Sequence, residues 1–396
     1  IDTYATSVFS APATVSYGVN GLNQFSNFDG TNYTVYTEGI YIGYRYYETR
    51  YEDCVLGRGD ASSNVGAFQS ADGWNYAQEV TYPFGYGLSY TTFEQTLDQV
   101  EISSEGMITA TVTVRNTGSV AGKSVVQLYG QQPYTQYDIE NGIEKSAVEL
   151  VGFTKTDNIP GGESQTVTVE IDKKYFSSYD SAVEQTYILE PGDYYLAIGD
   201  NAHDALNNIL AQKGYTPDNS AMDAAGTGEK VYMWTESEFD AATYSRSNGT
   251  KITNQFDDAD LNKYEENTVT YLSRSNWAAT WPVPGQELAA AQSLIEKYSY
   301  HQETTDTDLS RFTFGESNGM MLATLIGADY DDPYWDELLN QLTVEELISI
   351  VAWNGRQANP TIGLVESAFA DSPNGIGTDA NSSYVQYKDL AVLYFP

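Results

Sequence analysis

The sequence predicts a multidomain chain with a β-sandwich at its centre, and three observations support this. Its 396 residues are enough for roughly two to four domains. Between residues 96 and 200, short runs of alternating apolar and polar residues are separated by turn signals. After residue 321, the apolar residues recur at helical spacing instead. A content of 41% hydrophobic and 19% charged residues is typical of folded globular proteins.

The central segment is predicted to be all-β because its apolar residues recur with a period of two. In residues 108–114, Ile, Ala and two Val alternate with three threonines, as expected for a half-buried strand. Asn116-Thr-Gly118 supplies a turn. Further strands are predicted at Val125–Tyr129, Val148–Phe153, Val167–Ile171 and Tyr194–Ile198. About seven short strands over ~100 residues is the size of an immunoglobulin-like sandwich.

The first 95 residues are rich in turn signals and contain two segments dense in Tyr and Gly. These are Tyr36-Thr-Glu-Gly-Ile-Tyr-Ile-Gly-Tyr-Arg-Tyr-Tyr-Glu48 and Tyr82-Pro-Phe-Gly-Tyr-Gly-Leu-Ser-Tyr-Thr-Thr-Phe93. The composition of Ile40–Tyr47 predicts extended structure. The chain has 33 tyrosines, and two interpretations stay open: a sugar-stacking surface, or rings that fill half-buried strand faces.

Helices are predicted on both sides of residue 300. Ala202–Lys213 has apolar residues at helical spacing and Gly214 as a stop signal, and Gln286–Tyr298 is a second candidate. Near the end of the sequence, Asp332-Pro333 is a good helix start. Thr343-Val-Glu-Glu346 is a capping box that begins another helix.

Charge and composition exclude several classes of function. The chain has 55 Asp and Glu against 19 Lys and Arg, and its net charge of −36 disfavours nucleic acid and anionic membrane surfaces as partners. Cys54 is the sole cysteine, so an intrachain disulfide is impossible. The two histidines, His203 and His301, are far apart in sequence, so no histidine metal site or Ser-His-Asp triad is expected. No apolar run approaches the ~20 residues of a membrane span.

Several segments together resemble glycoside hydrolase family 3, the β-glucosidase and β-xylosidase family. The two Tyr- and Gly-rich segments resemble the landmark that closes the second domain of that family, an α/β sandwich. Residues 114–129 are similar to its fibronectin type III-like domain, and Tyr271–Trp277 contains a Ser-Arg-x-x-Trp step found after that domain in some members. Residues 336–347 resemble the helix that precedes the first strand of the family's barrel domain.

The resemblance implies four domains or parts of domains. Residues 1–95 are expected to be the C-terminal part of the α/β sandwich domain, and 96–200 the fibronectin type III-like β-sandwich. Residues 201–320 are expected to be a mixed connector, and 321–396 the beginning of a (β/α)8 barrel domain. In most of the family the barrel comes first, so this order matches the domain-inverted members. The chain starts at Ile1 rather than Met, and the resemblance implies that it is a segment of a longer enzyme.

The same resemblance carries one site residue and no catalytic residue. Asp371 in Asp371-Ser-Pro-Asn-Gly-Ile376 matches the Asp of an Asp-Gly-Pro-x-Gly loop that binds sugar hydroxyls, and such contacts are charge-assisted. Ser372 replaces the family glycine, and Asp371 could instead only form an Asx turn before Pro373. Retaining hydrolysis needs two carboxyl groups about 5 Å apart, and both lie outside this chain by the resemblance. Glu38 is better explained as an ion-pair partner, with Arg45 as the candidate, than as a catalytic group.

The implied activity is hydrolysis of terminal β-glucosyl or β-xylosyl residues of oligosaccharides, without cofactor or metal. Two alternatives stay open: a non-catalytic glycan-binding or scaffold protein, and a fragment active only with a partner chain that completes the barrel. Residues 330–396 are accordingly expected to be covered by such a partner or poorly ordered, because an incomplete barrel leaves open edges. The fibronectin-like module and the acidic surface together slightly favour an exported or cell-surface enzyme.

Two weaker motifs carry little information. Asp258-Ala-Asp-Leu-Asn262 has the opening spacing of a calcium loop but lacks its sixth-position Gly and twelfth-position Glu, so a solvated turn is expected. Three glycosylation sequons begin at Asn32, Asn248 and Asn381.

Overall fold

The computed structural model describes most of the chain between residues 37 and 367. The described ranges are 37–67, 72–244, 250–264, 266–282, 312–353 and 356–367, together with Ser293 and the backbone of Val15–Gly18 and Asn32–Val35. The chain divides into two compact units, Ile1–Tyr300 and His301–Pro396. The predicted helix at Gln286–Tyr298 lies outside the described residues, Ser293 apart.

A β-sandwich forms the larger part of the first unit. Its strands are β3 (Phe93–Ile102), β4 (Met107–Asn116), β5 (Val125–Gln131), β6 (Glu149–Lys155), β7 (Ser164–Asp172), β10 (Gly192–Gly199) and β11 (Val231–Glu236). The three-stranded sheet has the antiparallel order β3-β4-β7, and the four-stranded sheet has the antiparallel order β11-β10-β5-β6. Two short antiparallel pairs accompany them: β1 (Val15–Gly18) with β2 (Asn32–Val35), and β8 (Ser178–Asp180) with β9 (Thr186–Ile188).

The alternation in β4 fixes which side chains form the sandwich core. Ile108, Ala110, Val112 and Val114 are fully buried, while the intervening threonines of β4 are only partly buried. The predicted turn after β4 is organised by Asn116, whose amide donates to Val120 O at 2.8 Å and Ile159 O at 2.9 Å. The strand predictions of the central segment are therefore confirmed. The strand β11 lies in the segment that the sequence predicted as a connector.

A second core packs against the four-stranded sheet and is built mainly on two helices. These are α1 (Tyr44–Leu56) and α4 (Ala202–Gln212). The predicted helix over Ala202–Lys213 is thus confirmed, and Asn201 caps it by accepting from Asp204 N. Shorter helices complete the first unit: α2 (Tyr76–Glu79), α3 (Gln136–Asn141) and α5 (Trp277–Thr280).

The extended structure predicted for Ile40–Tyr47 is wrong, since α1 begins at Tyr44. The helix is buried on nearly all sides and therefore lacks the polar face that marks an amphipathic helix in a sequence. Its aromatic residues have strand propensity, which tertiary packing overrides. The many tyrosines on and around α1 are mostly core residues, including Tyr41, Tyr46, Tyr47, Tyr51 and Tyr76.

The second unit is described over two helices, α6 (Tyr334–Asn340) and α7 (Val344–Ala352). The helix start at Asp332-Pro333 and the capping box at Thr343 are both confirmed, with Thr343 Oγ1 accepting from Glu346 N and Glu346 accepting from Thr343 N. Leu338 and Leu342 are buried in a small apolar cluster. In contrast, Ile348 is 62% exposed and Val351 is 77% exposed, so most of the α7 stripe faces solvent within the described structure.

No helix among the described residues combines the length and the apolar character needed to cross a membrane.

Candidate functional site

Helix α1 carries an unusual number of charged side chains into the protein interior. It ends at Gly57, whose left-handed φ of 64° lets the chain turn away sharply. Glu48, Arg50, Glu52 and Asp53 are each no more than 3% exposed. Buried charges are tolerated only when they are paired, so their partners identify what this helix is built to hold.

The first set of partners, termed here the Arg274 cluster, consists of Glu52, Asp53, Lys213, Arg274 and Trp277. Arg274 Nη2 lies 2.9 Å from Glu52 Oε2 and 2.5 Å from Asp53 Oδ1, and its Nε lies 3.3 Å from Asp53 Oδ2. Trp277 Nε1 donates to the same Asp53 Oδ2 at 2.9 Å. Lys213 Nζ lies 3.0 Å from Glu52 Oε1. Both carboxylates are therefore held on both oxygens.

Burial and charge act against each other on these carboxyl groups. Burial raises the pKa of Glu52, but Lys213 and Arg274 outweigh it and lower that pKa to about 2. Burial also raises the pKa of Asp53, and there it outweighs the attraction of the shared Arg274. Because every carboxylate oxygen already has a donor, neither group is free to attack a substrate. The Arg274 cluster is suited to holding α1 in place.

Backbone contacts explain how Arg274 reaches α1 from more than 200 residues away. Leu272 N donates to Thr37 O at 2.8 Å, and Trp277 N donates to Gly59 O at 2.8 Å. A Cβ on Gly59 would lie only 2.1 Å from Arg274 O, so a side chain at that position would displace the whole segment. The Ser-Arg-x-x-Trp step thus has a structural role: it locks residues 272–277 onto the first Tyr-rich segment and α1.

The second set, the His203 cluster, consists of Glu48, Tyr51, Tyr76, His203 and Asp223. His203 Nδ1 lies 2.8 Å from Glu48 Oε2, and Nε2 lies 2.9 Å from Asp223 Oδ1. The Tyr76 ring stacks on the imidazole with centroids 3.9 Å apart and an interplanar angle of 13°. Tyr51 Oη lies 2.9 Å from Asp223 Oδ1, and the Tyr76 hydroxyl donates to Glu48.

The His203 cluster favours the protonated form of the imidazole at neutral pH. Burial lowers the pKa of His203, but Glu48 and Asp223 outweigh it and raise the pKa to about 10. A histidine that stays protonated cannot act as a general base near pH 7. This cluster therefore joins α1 to α4 by an ion pair and does not resemble a proton-transfer site.

Two cavities lie next to the C-terminal end of α1. The first, of about 450 Å³, is lined by Glu52, Gln131, Lys213 and Tyr215 among others. The second, of about 410 Å³, is lined by residues that include Asp53, Thr135 and Arg274. Arg58 and Tyr134 line both cavities.

The site residues predicted from the sequence are placed as follows. Asp371 lies outside the described residues, so its substrate-binding role stays a prediction. The pairing of Glu38 with Arg45 is wrong, because Arg45 Nη2 pairs with Glu149 Oε2 at 3.4 Å.

The solvated turn predicted at Asp258 is occupied by a cation of the protein itself. Lys263 Nζ lies 2.7 Å from Asp258 Oδ1 and 3.0 Å from Asp257 Oδ2. Within the described part of the chain, no group of three or more His, Cys, Asp or Glu side chains is arranged to hold a metal ion.

Sequence reasoning did not identify the clusters around α1. The sequence suggests comparing His203 with His301, but the partners of His203 are carboxylates, and Glu48 is 155 residues away in sequence. Arg274 stands out in the sequence only as part of the Ser-Arg-x-x-Trp resemblance. One signal was nonetheless available. The charged run Glu48-Thr-Arg-Tyr-Glu-Asp53 lies between tyrosines, so charged and aromatic residues are mixed and do not separate into the polar and apolar faces of a surface helix.

Comparison with known proteins identifies the sandwich and its relatives. Residues 124–202 match the model of the fibronectin type III-like domain. Thermostable β-glucosidase B of Acetivibrio thermocellus is 32% identical over 186 residues, which is 46% of this chain and 20% of that protein. A β-glucosidase of Ruminococcus albus is 31% identical over 203 residues, which is 49% of this chain and 17% of that protein.

Among solved structures, β-glucosidase 3B of Thermotoga neapolitana with α-D-glucose aligns at 27% identity with a TM-score of 0.34. The alignment covers 52% of this chain and 21% of that chain. The chain spans about a fifth of the length of the curated relatives it matches.

Proposed function

We propose that this chain is part of a retaining β-glycosidase, because it contains a fibronectin type III-like segment of the glycoside hydrolase family 3 type. The enzyme would remove terminal non-reducing β-D-glucosyl or β-xylosyl residues from oligosaccharides. The observation that carries the proposal is the similarity of about half of the chain to proteins named β-glucosidases, at 31–32% identity.

The ion pairs around α1 support a non-catalytic role for the described part of the chain. A retaining glycosidase needs one carboxylate that attacks and one carboxylic acid that donates a proton. The most buried acidic residues of α1, Glu48, Glu52 and Asp53, are already held by His203, Lys213 and Arg274. We therefore place the nucleophile and the acid/base outside this chain, as the resemblance implies.

The proposal assigns substrate contact to Asp371 and a supporting role to the sandwich. In this proposal the chain has four parts in the domain-inverted order. They are the end of an α/β sandwich, a fibronectin type III-like domain, a connector and the start of a barrel. The helices α6 and α7 would belong to the barrel start, and the exposed Ile348 and Val351 would pack against the rest of that barrel.

An aryl β-glucoside assay tests the proposal. The purified 396-residue chain is expected to show no turnover alone, and activity is expected when a second polypeptide supplies the remainder of a family 3 catalytic unit. Clear turnover by the chain alone would contradict the placement of the catalytic carboxylates. Glycan binding with no turnover in either arrangement would favour a non-catalytic binding protein.

In the active assembly, Asp371→Asn tests the one proposed substrate contact. Loss of charge-assisted hydrogen bonds to sugar hydroxyls is expected to lower kcat/KM by about 10- to 100-fold. Asp257→Asn is the matched control, because Asp257 is exposed and pairs only with Lys263 among the contacts described. An unchanged kcat/KM in Asp371→Asn would mean that Asp371 does not contact substrate and only forms the Asx turn before Pro373.

A further inference from the structure

The two cavities beside the end of α1 are together termed the groove here. They have no part in the proposed hydrolysis. Their volumes of about 450 and 410 Å³ each lie within the range of small-molecule sites. Arg58 and Tyr134 line both cavities, so the two are neighbours along one surface. Gly57 directs the chain into this surface at the end of α1, and Arg58 follows directly.

The groove presents tyrosine rings that are fixed in position. The Arg274 guanidinium lies 4.4 Å from the Tyr134 ring centroid, and Lys213 Nζ lies 5.1 Å from the Tyr195 centroid. Tyr215 also lines the first cavity. Aromatic rings held in this way pack well against the C–H faces of pyranose sugars, because the ring loses little freedom on binding.

Polar groups surround these rings, and two buried polar atoms among them have no partner within the described structure. Gln131 is 3% exposed, and its Nε2 donates to Glu52 Oε1 and Ala147 O, but its Oε1 has no partner within the described structure. The Tyr134 hydroxyl is buried and likewise lacks a partner among the described residues. The Arg58 side chain makes no ion pair with any described residue and offers several N–H donors.

The charge balance of the groove favours a neutral ligand. Lys213 and Arg274 are already neutralised by Glu52 and Asp53, and Asp193 adds a further negative charge to the first cavity. Arg58 is then the one cation lining the cavities that no described carboxylate neutralises. Since the whole chain carries −36, an anionic ligand would also be repelled at long range.

We propose that this groove binds a neutral oligosaccharide, with a sugar face on the Tyr215 ring and sugar hydroxyls on Arg58. The inference goes beyond the proposed function, because it concerns binding to this chain and needs no hydrolysis. Loss of glycosidase activity in the complete enzyme would leave it unaffected.

Isothermal titration calorimetry of the 396-residue chain with cellotetraose and xylotetraose tests this assignment. Binding of at least one probe is expected, and Arg58→Ala and Tyr215→Ala are each expected to raise Kd about tenfold. Arg115→Ala is the matched control, since Arg115 is exposed on β4, and it should leave Kd unchanged. The unfolding midpoint of Arg58→Ala should match that of the unaltered chain, because the Arg58 side chain is exposed.

Three results would overturn the proposal. They are the absence of binding for both probes, Kd values of Arg58→Ala and Tyr215→Ala equal to that of the unaltered chain, and tighter binding of tetragalacturonic acid than of either neutral probe. The last result would show that the groove selects anions through Arg58.

Discussion

The two cores of the first unit are built from opposite kinds of side chain. The sandwich core is mainly aliphatic, with Ile108, Val112, Val126 and Leu128 fully buried. The core around α1 is aromatic and encloses charged groups, among them Arg274 at 3% exposure. An aliphatic core is specified by volume and strand register, whereas a charged aromatic core is specified by partners that must meet with correct geometry. The α1 core therefore depends on contacts between distant parts of the sequence.

The largest expected effect comes from removing the cation that α1 shares with residues 272–277. Arg274→Ala leaves Glu52 and Asp53 with one cation fewer in a buried site, and it should lower the free energy of unfolding by about 3–5 kcal/mol. Urea unfolding followed by tryptophan fluorescence measures this, because Trp277 belongs to the same core. Arg115→Ala should change the unfolding free energy by no more than about 0.5 kcal/mol.

A loss below about 1 kcal/mol in Arg274→Ala would show that the α1 core tolerates an unpaired carboxylate, and the contrast between the two cores would fail. If Arg274→Ala does not fold, Arg274→Lys keeps the charge but loses the bidentate geometry, and it should be less stable than the unaltered chain.

The next effect tests the aliphatic core. Leu128→Ala removes a fully buried side chain from β5 and should lower the free energy of unfolding by about 2–5 kcal/mol through lost burial and the cavity left behind. Val125→Ala on the same strand is the control, since Val125 is 38% exposed and should lose far less. The difference in unfolding free energy between Leu128→Ala and the unaltered chain should be the same at pH 7 and pH 9, because the substitution removes no titrating group.

The smallest expected effect is a loss of folding stability at alkaline pH. It is also the effect most specific to the α1 core. The pKa of His203 is raised from 6.5 to about 10 in the folded chain, so the folded state favours the protonated form. The stabilisation is fully present below pH 6.5 and is lost as the pH rises towards about 10. Between pH 7 and pH 9 the loss of stabilisation should be on the order of 2 kcal/mol, since one pKa unit corresponds to ~1.4 kcal/mol.

His203→Gln isolates that effect. Urea unfolding at several pH values should show a shallower alkaline decline in His203→Gln than in the unaltered chain, while Leu128→Ala should keep the full decline. Identical alkaline slopes in His203→Gln and the unaltered chain would mean that Glu48 and Asp223 do not hold a charged imidazole.

The sandwich could be predicted from the sequence because its signals are local. The alternation of apolar residues and threonines from Ile108 to Val114 predicts which face of β4 is buried, and Asn116 marks the end of the strand. The capping box at Thr343 is equally local and was confirmed with its reciprocal hydrogen bonds. Such patterns need only neighbouring residues, so one sequence is enough to find them.

The α1 region could not be predicted in the same way. A helix buried on nearly all sides has no distinct polar face, and the Tyr-rich composition of Tyr44–Tyr47 favours a strand on propensity alone. Its ion pairs join residues such as Asp53 and Arg274, which are 221 positions apart. Nothing in a single sequence states that two such residues meet, so the clusters and the groove beside them required the structure.

The strand β11 has a practical consequence for anyone who isolates the sandwich. Residues Val231–Glu236 pair along Gly192–Ala197 of β10, well beyond residue 202, where the family match ends. A recombinant fragment that stops at residue 202 would leave the backbone N–H and C=O groups of β10 unpaired at a new sheet edge. Such an edge can recruit a strand from another molecule, so a fragment that stops there should self-associate, whereas one extended past Glu236 should stay monodisperse.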